Sequence, residues 1–80
     1  MSPGDLVTAN PQCLSDPGDY FFVWESLEPQ LSRSTRSVDR LGQQDIALLL
    51  AESRELEKAR ILTPRGGVGW IMFRNLVVLP

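Results

Sequence analysis

Cysteine is the residue of this chain with the most nucleophilic side chain, and it occurs once, as Cys13. The sequence contains no histidine. The thiol therefore has no ordinary base partner, which excludes a catalytic Cys–His pair. One cysteine without histidine also makes a zinc site and an intramolecular disulfide unexpected. We expect a chain that is not an enzyme and that holds no metal or other cofactor.

Aspartates are the remaining candidates for chemistry in the first part of the chain. Asp5, Asp16 and Asp19 would be the ligands of a cation site. Two of them close a Pro-Gly-Asp triplet, which is turn chemistry because proline presets φ and glycine accepts positive φ. Each triplet precedes an apolar pair, so we predict two turns that lead into strands. No pair of carboxylates is suited to general acid–base catalysis.

The distribution of charge divides the chain. Eight basic and ten acidic side chains give a net charge of −2, with five acids and no base in residues 1–30 and eight bases against five acids in residues 31–80. Such a balance leaves no footprint for unspecific binding to nucleic acid. The simplest interpretation is a solvated surface or attraction between the two halves; the alternative is a basic patch for a partner.

Targeting signals are not apparent in the sequence. The N-terminal residues MSPGDLV lack the basic and apolar regions of a secretory signal, and no apolar run approaches the ~20 residues that span a bilayer. We therefore expect a cytoplasmic protein that does not insert into a membrane.

An aromatic segment, Tyr20–Trp24, predicts a strand because all five residues are aromatic or β-branched. Tyr20, Phe22 and Trp24 share one face of it, and the other two residues share the second face. Such a strand is either buried on both faces or leaves one face for a partner. Residues 25–44 are polar and show no sustained period, which predicts a long loop.

Residues 45–60 are ambiguous. Their residue types favour a helix, with Asp45 as a possible N-cap. The short apolar run at 46–51 is equally typical of a strand buried on both faces. Periodicity alone leaves both structures open.

The C-terminal residues 58–79 predict a hairpin and a closing strand. Ala59, Ile61 and Thr63 lie on one side of the segment and Arg60 and Leu62 on the other. Gly66-Gly67 would supply the positive φ angles of a primed turn. Gly69 leaves room for a close backbone approach, and Trp70 is expected in the core. A phosphate-binding loop is not supported, because the third glycine and the Gly-Lys-Ser/Thr sequence of such loops are missing.

Residues 42–79 resemble the second half of an SH3-type barrel, as found in small bacterial and phage domains. The resemblance implies a turn at 42–45, a strand at 46–52, a hairpin of 58–64 with 68–73, a helical turn at 74–75 and a closing strand at 76–79. Residues 8–41 would be an enlarged first loop. We therefore expect one all-β domain over residues 1–80, a small barrel of about five strands with a long polar loop at about 25–44.

Three positions depart from the SH3 peptide groove. The hairpin begins without a tryptophan, Met72 replaces a proline, and Asn75 replaces a tyrosine. Binding of proline-rich peptides by the usual route is therefore not expected.

Our leading functional hypothesis is a non-catalytic module that binds another, unknown protein, in an accessory or phage-encoded setting. Aromatic residues beside arginines are typical of interface hot spots. The predicted contact residues are Tyr20, Phe22, Trp24, Arg33, Arg36, Met72, Phe73 and Arg74. A nucleic-acid module of the KOW or Tudor kind ranks second, using Arg33, Arg36, Arg40, Arg65 and Arg74. A homo-oligomeric structural subunit is the third hypothesis, since edge strands of a small barrel can pair with a further copy.

Overall fold

The computed structural model describes residues 1–27 and 36–80. These residues form a curled antiparallel sheet, a half-barrel, of seven strands rather than the expected five or so. The strands are β1 (Leu6–Ala9), β2 (Tyr20–Trp24), β3 (Ser37–Gly42), β4 (Ala47–Ser53), β5 (Lys58–Leu62), β6 (Val68–Met72) and β7 (Leu76–Val78). A 3₁₀ turn follows β1 (Pro11–Cys13), and a second (Phe73–Asn75) joins β6 to β7.

The order of the strands in the sheet is β3-β2-β6-β5-β4-β1-β7. The first strand therefore lies beside the last one, with Thr8 opposite Val77. Strands β4, β5 and β6 form a meander at the centre, and the β2–β3 hairpin is added at the β6 edge. This order folds the two ends of the sequence onto the same curled sheet.

The core fills the concave side of the sheet with small and branched aliphatic side chains. Its buried members are Val7, Ala9, Val23, Leu41, Ala47, Leu49, Ala59, Ile61, Ile71 and Leu76. They alternate with exposed or half-buried residues along each strand, as the two-residue period of a one-sided sheet requires.

The strand that the resemblance implied at 46–52 is present as β4, Ala47–Ser53, in place of the helix that the residue types favour. In β4, Leu49 lies opposite Ile61, and both side chains are in the core. A bulge between Leu49 and Ala51 leaves Leu50 37% exposed on the outside. Packing against β5 therefore overrides local preference, as tertiary context commonly does.

The expected loop at 25–44 is wrong for residues 37–42, which form β3. This strand pairs with β2 over five register positions, with Phe21 opposite Leu41 and Val23 opposite Asp39. The two aliphatic residues of β3, Val38 and Leu41, are three positions apart, so no alternating apolar pattern marks the strand. Residues 28–35, which include the predicted contact residue Arg33, lie outside the described residues.

The turn between β5 and β6 differs from the prediction of paired positive φ angles. Gly66 has φ of 92°, and its amide donates to the carbonyl of Thr63 at 3.0 Å. Gly67 has no positive φ; a Cβ there would lie 2.8 Å from Oδ2 of Asp39. One glycine is therefore needed for its conformation and the other for space.

Candidate functional site

A row of aromatic rings covers the outer face of β2. Val23 is fully buried, whereas Tyr20 and Phe22 are 42% and 50% exposed. The rings of Tyr20 and Phe22 meet edge to face with centroids 5.5 Å apart, and the ring of Phe22 lies 5.8 Å from that of Trp24. The face of β2 that carries Tyr20, Phe22 and Trp24, whose burial the sequence could not decide, is therefore turned away from the core.

Strand β6 extends this aromatic row. Trp24 lies opposite Trp70 in the register of the two strands. Trp70 is half-buried on the outer face, and not in the core where the sequence predicted it, because the neighbouring Gly69 and Ile71 point inward. Gly69 and Ile71 flank Trp70 in the sequence and share the other face of the strand, which indicates that Trp70 points away from the core.

The rings border a groove of about 340 Å³ between β2, β6 and the second 3₁₀ turn. Its described lining residues are Phe21, Phe22, Trp24, Ser26, Lys58, Trp70, Ile71, Met72 and Asn75. The volume falls within the usual range of ligand pockets. We call this feature the aromatic groove.

Basic side chains lie beside the aromatic groove at three register positions. Arg40 of β3 is opposite Phe22, and its guanidinium carbon sits 5.1 Å from the centre of the Tyr20 ring, in cation–π geometry. Arg60 of β5 is opposite Trp70, and Lys58 is opposite Met72. Residues opposite one another in adjacent strands share a face, so these cations accompany the aromatic rings.

Lys58 also connects the groove to the β2–β3 hairpin. Its Nζ donates to the carbonyl oxygen of Leu27 at 2.6 Å. An ammonium group has three donors, so this bond leaves Lys58 able to bind a second acceptor.

The structure brings four of the predicted contact residues together in or beside the groove, namely Tyr20, Phe22, Trp24 and Met72. Phe73 is half-buried and packs against the core. Arg74 is exposed in the second 3₁₀ turn. Arg36 is exposed and lies 3.5 Å from a carboxylate oxygen of Glu25.

The sequence did not single out Trp70, Lys58 and Arg60 as site residues. Lys58 and Arg60 are recognisable as a pair on one face only once 58–62 is placed beside β6. Their side chains alternate with the buried Ala59 and Ile61, so the strand assignment itself predicts their common direction.

A polar cluster lies at the β5–β6 turn, apart from the aromatic groove. Arg65 of this turn bonds its other members. Its Nε donates to Asp39 at 2.8 Å, and its terminal nitrogens donate to both oxygens of Asp45 at 3.0 and 3.1 Å. The hydroxyl of Thr63 donates to Asp39, and that hydroxyl accepts from the amide of Gly67 at 2.9 Å. Each charged group thus has an opposite partner.

Hydrogen bonding sets the ionisation of both aspartates in this cluster. Burial raises the pKa of Asp39, but hydrogen bonds from Thr63, Arg65 and the Arg40 amide outweigh burial and hold it below its usual value. The hydrogen bond from Arg65 lowers the pKa of Asp45 against the effect of burial. The same contacts, that with Asp45 first, raise the pKa of Arg65. The cluster therefore joins separate parts of the chain through ion pairs, and we call it the clamp around Arg65.

Other candidate chemistry has little support in the geometry. Cys13 is exposed, and its Sγ lies 3.4 Å from the carbonyl oxygen of Arg74. Within residues 1–27 and 36–80, no three potential ligand side chains are grouped to hold a metal ion. The same residues contain no helix with the length and apolar character needed to cross a bilayer.

The chain matches no protein-family model, no curated protein and no solved structure. The aromatic groove and the residues around it are therefore the features that indicate a function.

Proposed function

We propose that this chain is a non-catalytic, SH3-like module that binds a segment of another protein in the aromatic groove. The observation that carries the proposal is the outward placement of Phe22, Trp24 and Trp70 around one concave site. Tryptophan, tyrosine and arginine dominate the binding energy of protein interfaces, and they do so in pockets that exclude water. Rings that contact one another are also rigid anchors, which lowers the entropy lost on binding.

The SH3-like identity is supported by the order of elements in the second half of the chain. A meander, a 3₁₀ turn and a short strand follow one another, and that last strand returns to pair with β1. The groove lies at the end where β6 meets the 3₁₀ turn and the β2–β3 hairpin approaches them.

A proline-rich ligand is not the expected partner. Met72 and Asn75 line the groove at the positions where the resemblance places a proline and a tyrosine, and the start of the hairpin at 56–58 has no tryptophan. A ligand in the polyproline II conformation depends on flat aromatic walls at such positions. The aromatic surface here is instead supplied by β2 and by Trp70.

The test compares proteins captured from the source cells by the wild-type chain and by variants. Trp24→Ala/Trp70→Ala removes the walls of the groove, while Leu6→Ala removes a 51% exposed side chain of β1. We expect the groove variant to lose the captured proteins and the β1 variant to keep them. Circular dichroism must show that all three chains fold. Equal capture by all three would assign binding to another surface.

A further inference from the structure

The charge of the aromatic groove indicates what kind of segment it accepts. Resting on the function proposed above, we infer that the partner segment is an extended peptide in which acidic side chains accompany apolar ones. The ligand chemistry is a carboxylate next to an aromatic or aliphatic group.

The described lining of the groove carries a positive charge although the whole chain has a net charge of −2. Lys58 is the charged residue among the described lining residues, and no described lining residue is a carboxylate. Arg40 and Arg60 stand on the same face, opposite Phe22 and Trp70. A groove with such surroundings favours a partner of opposite charge.

Glu57, next to Lys58 in the chain, and two further carboxylates near the groove lie outside its described lining. Asp39, on β3, is engaged by Thr63 and Arg65. Glu25, next to Trp24 in the chain, is exposed and lies beside the guanidinium of Arg36. Neither is a described lining residue of the groove.

The spacing of the cations favours an extended ligand. Lys58 and Arg60 are two positions apart on β5, so their stems start roughly 7 Å apart on one face. Met72 and Trp70 repeat the same interval on β6 directly beside them. A peptide in extended conformation presents every second side chain at this same interval. Two acidic residues separated by one position would therefore meet both cations, and apolar residues at further alternate positions on the same face of the peptide would meet the groove.

A single-stranded nucleic acid is the competing polyanion, and the geometry favours it less. Bases bind by stacking on open ring faces along a basic track. The rings of Tyr20 and Phe22 are nearly perpendicular, at an interplanar angle of 88°, and the ring of Phe22 is tilted by 54° against that of Trp24. Rings packed against one another in this way offer a surface for apolar side chains and not a series of open faces on which bases could stack.

Selection from a displayed library of random 12-residue peptides tests the inference. The baits are the wild-type full chain, Lys58→Glu, Arg60→Glu and Trp24→Ala/Trp70→Ala. Arg54→Glu is the matched control, because it makes the same charge change at a residue whose side chain is 84% exposed and outside the groove lining. Circular dichroism verifies the fold of Lys58→Glu, which loses the bond to Leu27, and Arg60→Glu repeats the charge reversal with that bond intact.

The expected result is enrichment of peptides that hold aspartate or glutamate beside aromatic or large aliphatic residues. Affinity for such a peptide should fall about tenfold in each groove charge reversal and stay within about twofold in Arg54→Glu.

Three outcomes would overturn the inference. In the first, the selected peptides lack acidic residues and bind Lys58→Glu and Arg60→Glu as tightly as the wild type, but they do not bind Trp24→Ala/Trp70→Ala. This result agrees with the proposed function and contradicts the acidic partner. In the second, no bait enriches any peptide, which contradicts both the proposed function and the acidic partner. Binding of a 12-nucleotide polythymidine that is tighter than that of any selected peptide also removes both, in favour of nucleic acid.

Discussion

Trp24 and Trp70 lie opposite each other where β2 meets β6, and among the described residues theirs is the register pair that joins these strands. The β2–β3 hairpin is thus fastened to the central meander at the same place where the two indoles form the groove. The pair of tryptophans therefore contributes both to the attachment of the hairpin and to the proposed binding site.

The two tryptophans should be coupled energetically. We expect the loss in unfolding free energy in Trp24→Ala/Trp70→Ala to differ from the sum of the single variants by about 0.2–1 kcal/mol, the usual range for cross-strand pairs. Urea unfolding followed by far-UV circular dichroism measures it, since the variants remove the fluorophores. Trp70→Ala combined with Leu6→Ala, which lies on β1 opposite Leu48, should be additive. Equal behaviour of the two double variants would contradict the coupling.

Gly69 should not tolerate a side chain. A Cβ at this position would lie 2.6 Å from the carbonyl oxygen of Trp24 and 2.8 Å from Cγ1 of Val23. Because backbone is the nearest obstacle, Gly69→Ala must push β2 away from β6, and we expect a loss of about 1–3 kcal/mol in unfolding free energy. Gly18→Ala is the control, since a Cβ at Gly18 would meet nothing within 4 Å. Chemical denaturation should show little change there, and a similar loss in both variants would argue against the close approach.

The C-terminal half of the fold was predictable because several local signals agree there. Turn residues separate 58–62 from 68–72, and both segments alternate between buried and outward positions. The strand at 46–52 was less accessible, since its residue types favour a helix and the resemblance decided the assignment. The clash at Gly69 belongs to the predictable part, because a glycine inside a strand indicates close backbone contact.

The β2–β3 hairpin could be predicted only in its first strand. Strand β3 directs Asp39 toward the turn of a different hairpin, where Arg65 neutralises it from 26 positions further along the chain. No local pattern reveals such a long-range partner. The site could be predicted in part for the same reason. The aromatic face of β2 is visible from the alternation of its residues, whereas the placement of Trp70 and Arg60 on the same side of the sheet requires the order of the strands.

Thr63 should contribute to stability through its hydroxyl group. The residue is 3% exposed, and its hydroxyl bonds both Asp39 and the Gly67 amide. Thr63→Val keeps the shape but leaves these two groups without their partner, so we expect a loss of about 1–3 kcal/mol in unfolding free energy. The pKa of Asp39, followed by NMR, should rise in the same variant. Thr63→Ser retains the hydroxyl and should recover most of the pKa effect; failure to do so would assign the loss to packing.

The clamp around Arg65 should make the fold sensitive to acid. Asp39 and Asp45 have lowered pKa values in the folded chain, so their stabilising effect is complete above the unfolded-state values near 4 and is lost as the pH falls through the lower, folded ones. We expect the unfolding free energy of the wild type to fall between pH 6 and pH 2.5, and this fall to be shallower in Arg65→Met. Urea titrations at several pH values measure both slopes.

At pH 6 the Arg65→Met substitution should cost about 1 kcal/mol, because the Arg65 side chain is 44% exposed and water and salt screen its ion pairs. Arg54→Met is the matched control: its side chain is 84% exposed beside Glu52, and it should change neither the stability at pH 6 nor the slope. The difference between the two variants separates the clamp from the general titration of surface carboxylates. Parallel pH curves for the wild type and Arg65→Met would mean that the two aspartates are ionised without help from the guanidinium, and the clamp would then be only a geometric contact.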